Sequence, residues 1–69
     1  MELYKNLIIL REKKGISQKE IAQELGVSLH TYQRYEYGEK EPRASTLILL
    51  ADYYKISLDE LVCRKWPKE

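Results

Sequence analysis

The sequence predicts an all-α fold built from five short helices, and three observations support this prediction. Apolar residues recur at helical spacing, and no stretch shows the strict apolar–polar alternation of a half-buried strand. A serine preceded by isoleucine or valine, as at the start of many capped helices, occurs three times. Glycine and proline number only 3 and 2, too few for the many turns of an all-β domain.

Serines mark the starts of three helices. Ile16–Ile21 contains an apolar residue, a serine, a glutamate three positions after the serine and a second apolar residue, which together make a capping box and a hydrophobic staple. Ile56–Leu61 repeats both features, whereas Val27–Tyr32 has the staple and the serine without the glutamate. Each serine hydroxyl can accept a bond from a free backbone N–H, which contributes about 1 kcal/mol.

Glycines and a proline mark the other helix boundaries. Gly15, Gly26 and Gly38 each follow an apolar-periodic stretch, where a left-handed residue commonly ends a helix. Pro42 suits the first turn of a fourth helix. The combined signals predict helices over Leu3–Lys14, Gln18–Leu25, Leu29–Tyr37, Arg43–Tyr54 and Leu58–Arg64.

One apolar stripe along each helix supplies the predicted core. The stripes consist of Leu3, Leu7 and Leu10; Ile21, Ala22 and Leu25; Tyr32 and Tyr35; Leu47, Leu50, Ala51 and Tyr54; and Leu58, Leu61 and Val62. No internal repeat or linker interrupts the pattern. We therefore expect a single domain over 1–69, with its core at about 3–64 and a polar tail at 65–69.

Composition excludes several classes of protein. Twelve basic and 11 acidic residues give a net charge of +1, so bulk positive charge cannot provide nucleic-acid binding. No apolar run is long enough to cross a bilayer and no signal peptide is recognisable, so no membrane partner is expected. The single cysteine fits a reducing cytosol and permits no intramolecular disulfide.

The sequence also predicts no catalytic chemistry. Its one histidine and one cysteine are far apart, and it has neither a glycine-rich phosphate loop nor clustered carboxylates. We therefore expect no enzyme activity, no metal, no cofactor and no small-molecule substrate.

The second and third helices form the most informative unit. Only Gly26-Val27-Ser28 separates them, which is too short for an antiparallel hairpin and favours the steeper crossing of a helix-turn-helix. The surrounding chain contains Leu10-Arg11, Gly15-Ile16-Ser17-Gln18, Ile21-Ala22, Leu25-Gly26-Val27-Ser28, Thr31-Tyr32, Tyr35-Glu36, Gly38, Pro42, Leu47, Leu50-Ala51 and Ser57-Leu58-Asp59-Glu60-Leu61. As a set, these residues resemble the phage-repressor and Cro-like helix-turn-helix DNA-binding domains, of the xenobiotic-response-element type.

The resemblance implies a compact, five-helix, lambda-repressor-like fold. Its third helix would enter the major groove of double-stranded DNA, usually as part of a homodimer. It also implies a partly buried structural ion pair between Arg11 and Glu36. Two features depart from the family pattern: Tyr32 and Tyr35 are bulky for the inner face of helix 3, and Glu39-Lys40-Glu41 is acidic for a segment beside phosphate.

Helix 3 carries the residues that we expect to contact bases. If its two tyrosines face inward, the outward residues are Leu29, His30, Gln33 and Arg34. Arginine can bind guanine and glutamine can bind adenine through two hydrogen bonds each, while leucine can contact a thymine methyl group. The alternative is an ordinary solvated helix face with one exposed leucine.

The phosphate contacts are expected from four polar residues: Gln18, Lys19, Lys40 and Arg43. The first of these opens helix 2, where free N–H groups and the positive end of the helix favour an anion, and the resemblance assigns it to the DNA backbone. The alternatives are a neutral residue near the helix cap for Gln18 and simple solvation for Lys40.

Three apolar residues outside the predicted core suggest a dimer surface. Leu49 and Tyr53 point away from the core stripe of helix 4, and Trp66 follows helix 5. The alternative is scattered surface apolar residues, which are common. An isologous dimer would place two recognition helices about 34 Å apart, one turn of DNA.

These observations predict a sequence-specific DNA-binding transcriptional regulator, a repressor that acts as a homodimer on an operator. It would be bacterial or phage-encoded, cytoplasmic and associated with the nucleoid. The alternative is an antitoxin-like or anti-regulator protein-interaction module that keeps the helix-turn-helix fold. The near-neutral charge and the acidic segment favour this alternative; the outward polar set on helix 3 and Gln18 favour DNA.

Overall fold

The computed structural model describes residues 3–62. Its helices are α1 (Leu3–Lys14), α2 (Gln18–Leu25), α3 (Leu29–Glu36), α4 (Ala44–Tyr54) and α5 (Leu58–Leu61). The predicted all-α, five-helix architecture is thus confirmed for this part of the chain. Within it, no helix is long and apolar enough to cross a membrane.

The three serine caps are present as predicted. The Ser17 hydroxyl accepts from the Glu20 N–H, and the Glu20 carboxylate accepts from the Ser17 N–H at 2.8 Å, which completes a capping box at the start of α2. Ser57 and Glu60 form the same pair of bonds at α5. Ser28 accepts from the backbone of the third residue of α3, without a returning glutamate. These local bonds explain why the helices start where the sequence predicts.

The turn between α2 and α3 requires a glycine. Gly26 has φ of 72° and ψ of 28°, a left-handed conformation that a side chain disfavours, and its N–H donates to the end of α2. Helix α4 ends in the same conformation at Lys55, with φ of 58°. No glycine marks that position, so the sequence pattern did not predict a left-handed residue there.

Three predicted helix boundaries are wrong by a short distance. Tyr37 lies after α3 as its C-cap, since the chain turns immediately at the next residue. Arg43 is the extended N-cap of α4 rather than its first residue. Pro42 therefore lies in the preceding loop, where it is buried. Helix α5 ends at Leu61 instead of continuing to Arg64, and Arg64 lies outside the described residues.

Every helix contributes to one core. The buried apolar residues are Leu3, Leu7, Ile21, Ala22, Leu25, Tyr32, Tyr35, Leu50, Ala51 and Leu61. The predicted stripe residues Leu10, Leu47, Tyr54 and Val62 are partly buried against it. Leu58 was predicted wrongly as a core residue, because it is 45% exposed at the start of the four-residue α5, where only Leu61 points inward.

Candidate nucleic-acid interface

Helix α3 has a buried face and an outward face. Tyr32 and Tyr35 are 0% and 5% exposed, and their rings meet edge to face with centroids 6.2 Å apart. On the other side, Leu29 is 41% exposed, His30 is exposed, and Gln33 and Arg34 are partly exposed. The predicted orientation of α3 is therefore confirmed, while contact of its four outward residues with DNA stays a prediction.

The buried end of α3 is fixed by the carboxylate of Glu36, which is 3% exposed. This carboxylate accepts from Arg11 on α1, with Nε to Oε2 at 2.7 Å and Nη2 to Oε1 at 3.3 Å. It also accepts from the Tyr32 hydroxyl and from Gln18 Nε2 at 3.0 Å. One buried acid thus joins α1, α2 and α3, and so sets the angle at which α3 projects from the domain.

The hydrogen bonds of Glu36 also keep it ionised. Burial by itself raises the pKa of the Glu36 carboxyl, but the bonds from Arg11, Tyr32 and Gln18 outweigh burial and lower the pKa below its ordinary value. The same carboxylate raises the pKa of Arg11, mainly through their hydrogen bond. The pair is therefore charged on both sides throughout the neutral range.

Gln18 links this buried cluster to the outward face of α3. Its carbonyl oxygen accepts from Gln33 Nε2 at 3.1 Å while its own amide donates to Glu36. A glutamine amide has two N–H donors and a carbonyl acceptor. Gln33 therefore keeps one N–H and its carbonyl oxygen for another partner, and Gln18 keeps one N–H. Sequence reasoning placed Gln18 at the interface but missed its bonds to Glu36 and Gln33.

The cationic candidates lie at two places. Lys19 is exposed beside Gln18 at the start of α2. Lys40 and Arg43 are exposed in the segment between α3 and α4, and both line a cleft that also includes Val27 of the α2–α3 turn and Thr31 of α3. The structure thus places these two cations near the α2–α3 turn and near Thr31 of α3.

The comparisons with known proteins agree with this geometry. A helix-turn-helix family model matches residues 7–61. The chain belongs to this helix-turn-helix family. Its structure superimposes on a transcriptional regulator from Listeria innocua with a TM-score of 0.91 and 34% identity, which covers 99% of this chain and 64% of that one. The fold is lambda-repressor-like, and the helix-turn-helix regulators to which this chain is similar are a DNA-binding class rather than a class of enzymes.

Curated relatives of this helix-turn-helix chain include two transcriptional regulators. The cryptic phage CTXphi transcriptional repressor RstR of Vibrio cholerae is 38% identical over 69 residues, which span all of this chain and 61% of RstR. The transcriptional regulator ImmR of Bacillus subtilis is 36% identical over 62 residues, which span 90% of this chain and 49% of ImmR. The chain therefore spans about half to three-fifths of the length of these relatives.

The apolar face of α4 in this helix-turn-helix domain differs from the prediction in two residues. Leu49 is 46% exposed, as expected, and its neighbour Ile48, which the prediction omitted, is 50% exposed. Tyr53 is partly buried rather than outward, because its ring packs edge to face on Tyr54 and lies 5.1 Å from the Lys14 ammonium. Trp66 lies outside the described residues.

Proposed function

We propose that this domain is the sequence-specific DNA-binding part of a transcriptional repressor, and that α3 enters the major groove of an operator. The observation that supports this most is the Glu36 cluster. It fixes the inner face of α3 to two other helices while the outward side chains of α3 stay partly or fully exposed. A recognition helix needs both a fixed angle and a set of accessible polar groups.

The outward residues supply the chemistry for reading bases. Gln33 retains the N–H and carbonyl oxygen that a glutamine uses on adenine N7 and N6. Arg34 can donate two bonds to guanine N7 and O6, and Leu29 can contact a thymine methyl group. His30 can bond to a base or to a phosphate. In this proposal, Gln18 orients Gln33 and donates its remaining N–H to the DNA backbone.

Phosphate contacts come from Gln18, Lys19, Lys40 and Arg43. These residues neutralise few phosphates, so binding depends strongly on the base contacts of α3. For a dimer we expect log K to fall by about 5 to 7 per tenfold rise in salt concentration. A much steeper dependence would show that other cations take part.

Two copies of the chain would bind a palindromic site. The exposed Leu49 and Ile48 side chains on α4 offer an apolar surface for a second copy, and Trp66 is a further candidate for this surface. We take residues 1–69 as one domain of a repressor that acts in the bacterial cytoplasm at the nucleoid.

Selection of binding sites from random duplex DNA tests this function. The wild type should enrich a palindromic motif with half-sites about 10 base pairs apart, and Arg34→Ala should lose enrichment at a G·C position. Lys13→Ala is the matched control, because Lys13 is an exposed cation on α1 outside the proposed interface. Circular dichroism must show that all three proteins are folded.

The outcomes of this selection separate the two functions. Enrichment that depends on Arg34 but not on Lys13 supports the repressor and its reading helix. A motif without two-fold symmetry would contradict the homodimer while keeping the DNA function. No enrichment by folded protein at low salt would favour the protein-interaction module, to which the exposed acidic segment Glu39-Lys40-Glu41 would then belong.

A further inference from the structure

The loop after α3 holds Glu39 beside Arg34 through backbone bonds. The Glu39 N–H donates to the Arg34 carbonyl at 2.9 Å, and the Gly38 N–H donates to the Tyr35 carbonyl at 3.3 Å. With φ of 76° at Gly38, these two bonds form a Schellman motif. The Tyr4 ring fills the space where a side chain on Gly38 would lie, since its nearest carbon is 3.3 Å from that Cβ position. The backbone position of Glu39 is therefore set by the fold.

The Glu39 carboxylate approaches one edge of the Arg34 guanidinium. Its Oε1 lies 3.8 Å from Nε, and the two side chains are 61% and 43% exposed respectively. Within residues 3–62, Arg34 makes no other ion pair, and its nitrogen closest to the Glu39 carboxylate is Nε rather than a terminal one. An end-on contact with guanine N7 and O6 uses the two terminal nitrogens.

We propose that Glu39 is a positioning residue that sharpens the sequence specificity of Arg34. This inference rests on the proposed function, in which Arg34 reads a base. On an operator, the carboxylate attracts the Nε edge of the guanidinium and leaves the terminal nitrogens for guanine. On other sequences, the same carboxylate competes with phosphate for the Arg34 charge and repels the DNA backbone. Glu39 therefore favours the operator and disfavours non-specific DNA.

Glu41 provides a matched control within the same segment. It is exposed, carries the same charge and lies two residues after Glu39, but it forms no ion pair with any residue in the described range 3–62. Replacing either glutamate with glutamine removes one negative charge from the loop. Only Glu39→Gln also removes the partner of Arg34.

The test compares the affinities of wild type, Glu39→Gln and Glu41→Gln for the selected operator and for a scrambled duplex of equal length. For Glu39→Gln, non-specific affinity should rise about threefold per subunit, as expected for loss of a modest surface charge interaction, while operator affinity stays constant or falls. The specificity ratio of a dimer should then fall by about tenfold. For Glu41→Gln, both affinities should rise together and the ratio should stay constant.

A base-level readout distinguishes positioning from a general charge effect. Replacing the guanine read by Arg34 with 7-deazaguanine removes its N7 acceptor, and this penalty should be smaller for Glu39→Gln than for wild type. In an Arg34→Ala background, Glu39→Gln should no longer change the specificity ratio. Equal behaviour of the two glutamine variants would overturn the role of Glu39 while leaving DNA binding intact. Absence of any DNA binding by folded wild type would overturn the proposed function together with this inference.

Discussion

Helices α3 and α4 each bury a tyrosine hydroxyl, but among residues 3–62 only one of the two hydroxyls has a partner. The Tyr32 hydroxyl on α3 donates to the buried Glu36 carboxylate. The Tyr54 hydroxyl on α4 is shielded from solvent and has no hydrogen-bond partner among the described residues. Burial raises the pKa of both phenols above the ordinary value of 10, in Tyr54 to about 12. The position of α3 is thus fixed by directional bonds, and that of α4 by apolar packing.

The outward faces of α3 and α4 also differ, since one is polar and the other apolar. Helix α3 presents polar side chains such as Gln33 and Arg34, whereas α4 presents Ile48 and Leu49. Packing tolerates small rotations of a helix, but a charge-assisted hydrogen-bond cluster does not. The difference suggests that the domain uses directional bonds where a helix must be aimed and packing where a helix only supports it.

Removal of Arg11, which breaks the bonds that fix α3, should have the largest effect on stability. Arg11→Met leaves the Glu36 carboxylate buried without its cation, and breaking a buried pair in this way costs on the order of 3 kcal/mol. Urea denaturation followed by circular dichroism measures the change in the free energy of unfolding. Lys13→Met is the control, because it removes an exposed cation from the same helix and should change stability little.

The pH dependence of the Arg11→Met effect identifies its cause. In wild type the pKa of Glu36 is lowered below 4.5, so its contribution to stability is present above pH 4.5 and is lost as pH falls through the folded-state pKa. Without Arg11, burial should raise the pKa of Glu36, and protonation then removes the penalty. The stability difference between variant and wild type should therefore shrink at acid pH, and a constant difference would contradict this explanation.

Local signals predicted the helices better than the site. Ser17 and Gly26 predicted the start and the end of α2 correctly, because a cap and a left-handed residue act within one helical turn. The bounds of α4 carried weaker signals, since Pro42 stands before the N-cap and Lys55 adopts the left-handed conformation without being a glycine. The orientation of α3 followed from its apolar period. A local sequence pattern therefore predicts where a helix starts, where it ends and which of its faces is buried.

The Glu36 cluster lay largely beyond sequence reasoning. Its bond to Gln18 joins residues 18 positions apart, and its bond to Arg11 joins residues 25 positions apart. No periodicity encodes such a pair, and the resemblance to a family implied only the second. Tyr32 was predicted as an inward residue, but the apolar periodicity of α3 did not predict that its hydroxyl bonds to Glu36. Tertiary hydrogen bonds depend on the crossing angles of helices, which the sequence pattern does not specify.

After removal of Arg11, loss of the Tyr32 hydroxyl should have the next largest effect on stability. Tyr32→Phe keeps the buried ring but removes one donor from the Glu36 carboxylate, and a hydrogen bond to a charged group contributes about 2 kcal/mol. The free energy of unfolding should fall by this amount. Since the cluster orients α3, operator affinity should also fall at temperatures where the variant is fully folded. Unchanged stability would mean that Glu36 does not need this donor.

Loss of the Tyr54 hydroxyl should have the smallest effect on stability, and it should not destabilise the protein. Tyr54→Phe removes a shielded polar atom that has no partner within residues 3–62, so stability at neutral pH should stay constant or rise by up to about 1 kcal/mol. Because the folded-state pKa of Tyr54 is raised from 10 to about 12, the wild type loses stability as pH rises above 10, where the unfolded phenol ionises first. Phenylalanine cannot ionise, so the advantage of the variant should grow between pH 10 and 12, as urea denaturation at each pH will show. A destabilised Tyr54→Phe protein would show instead that α4, like α3, depends on a bonded hydroxyl, and the contrast between the two helices would not hold.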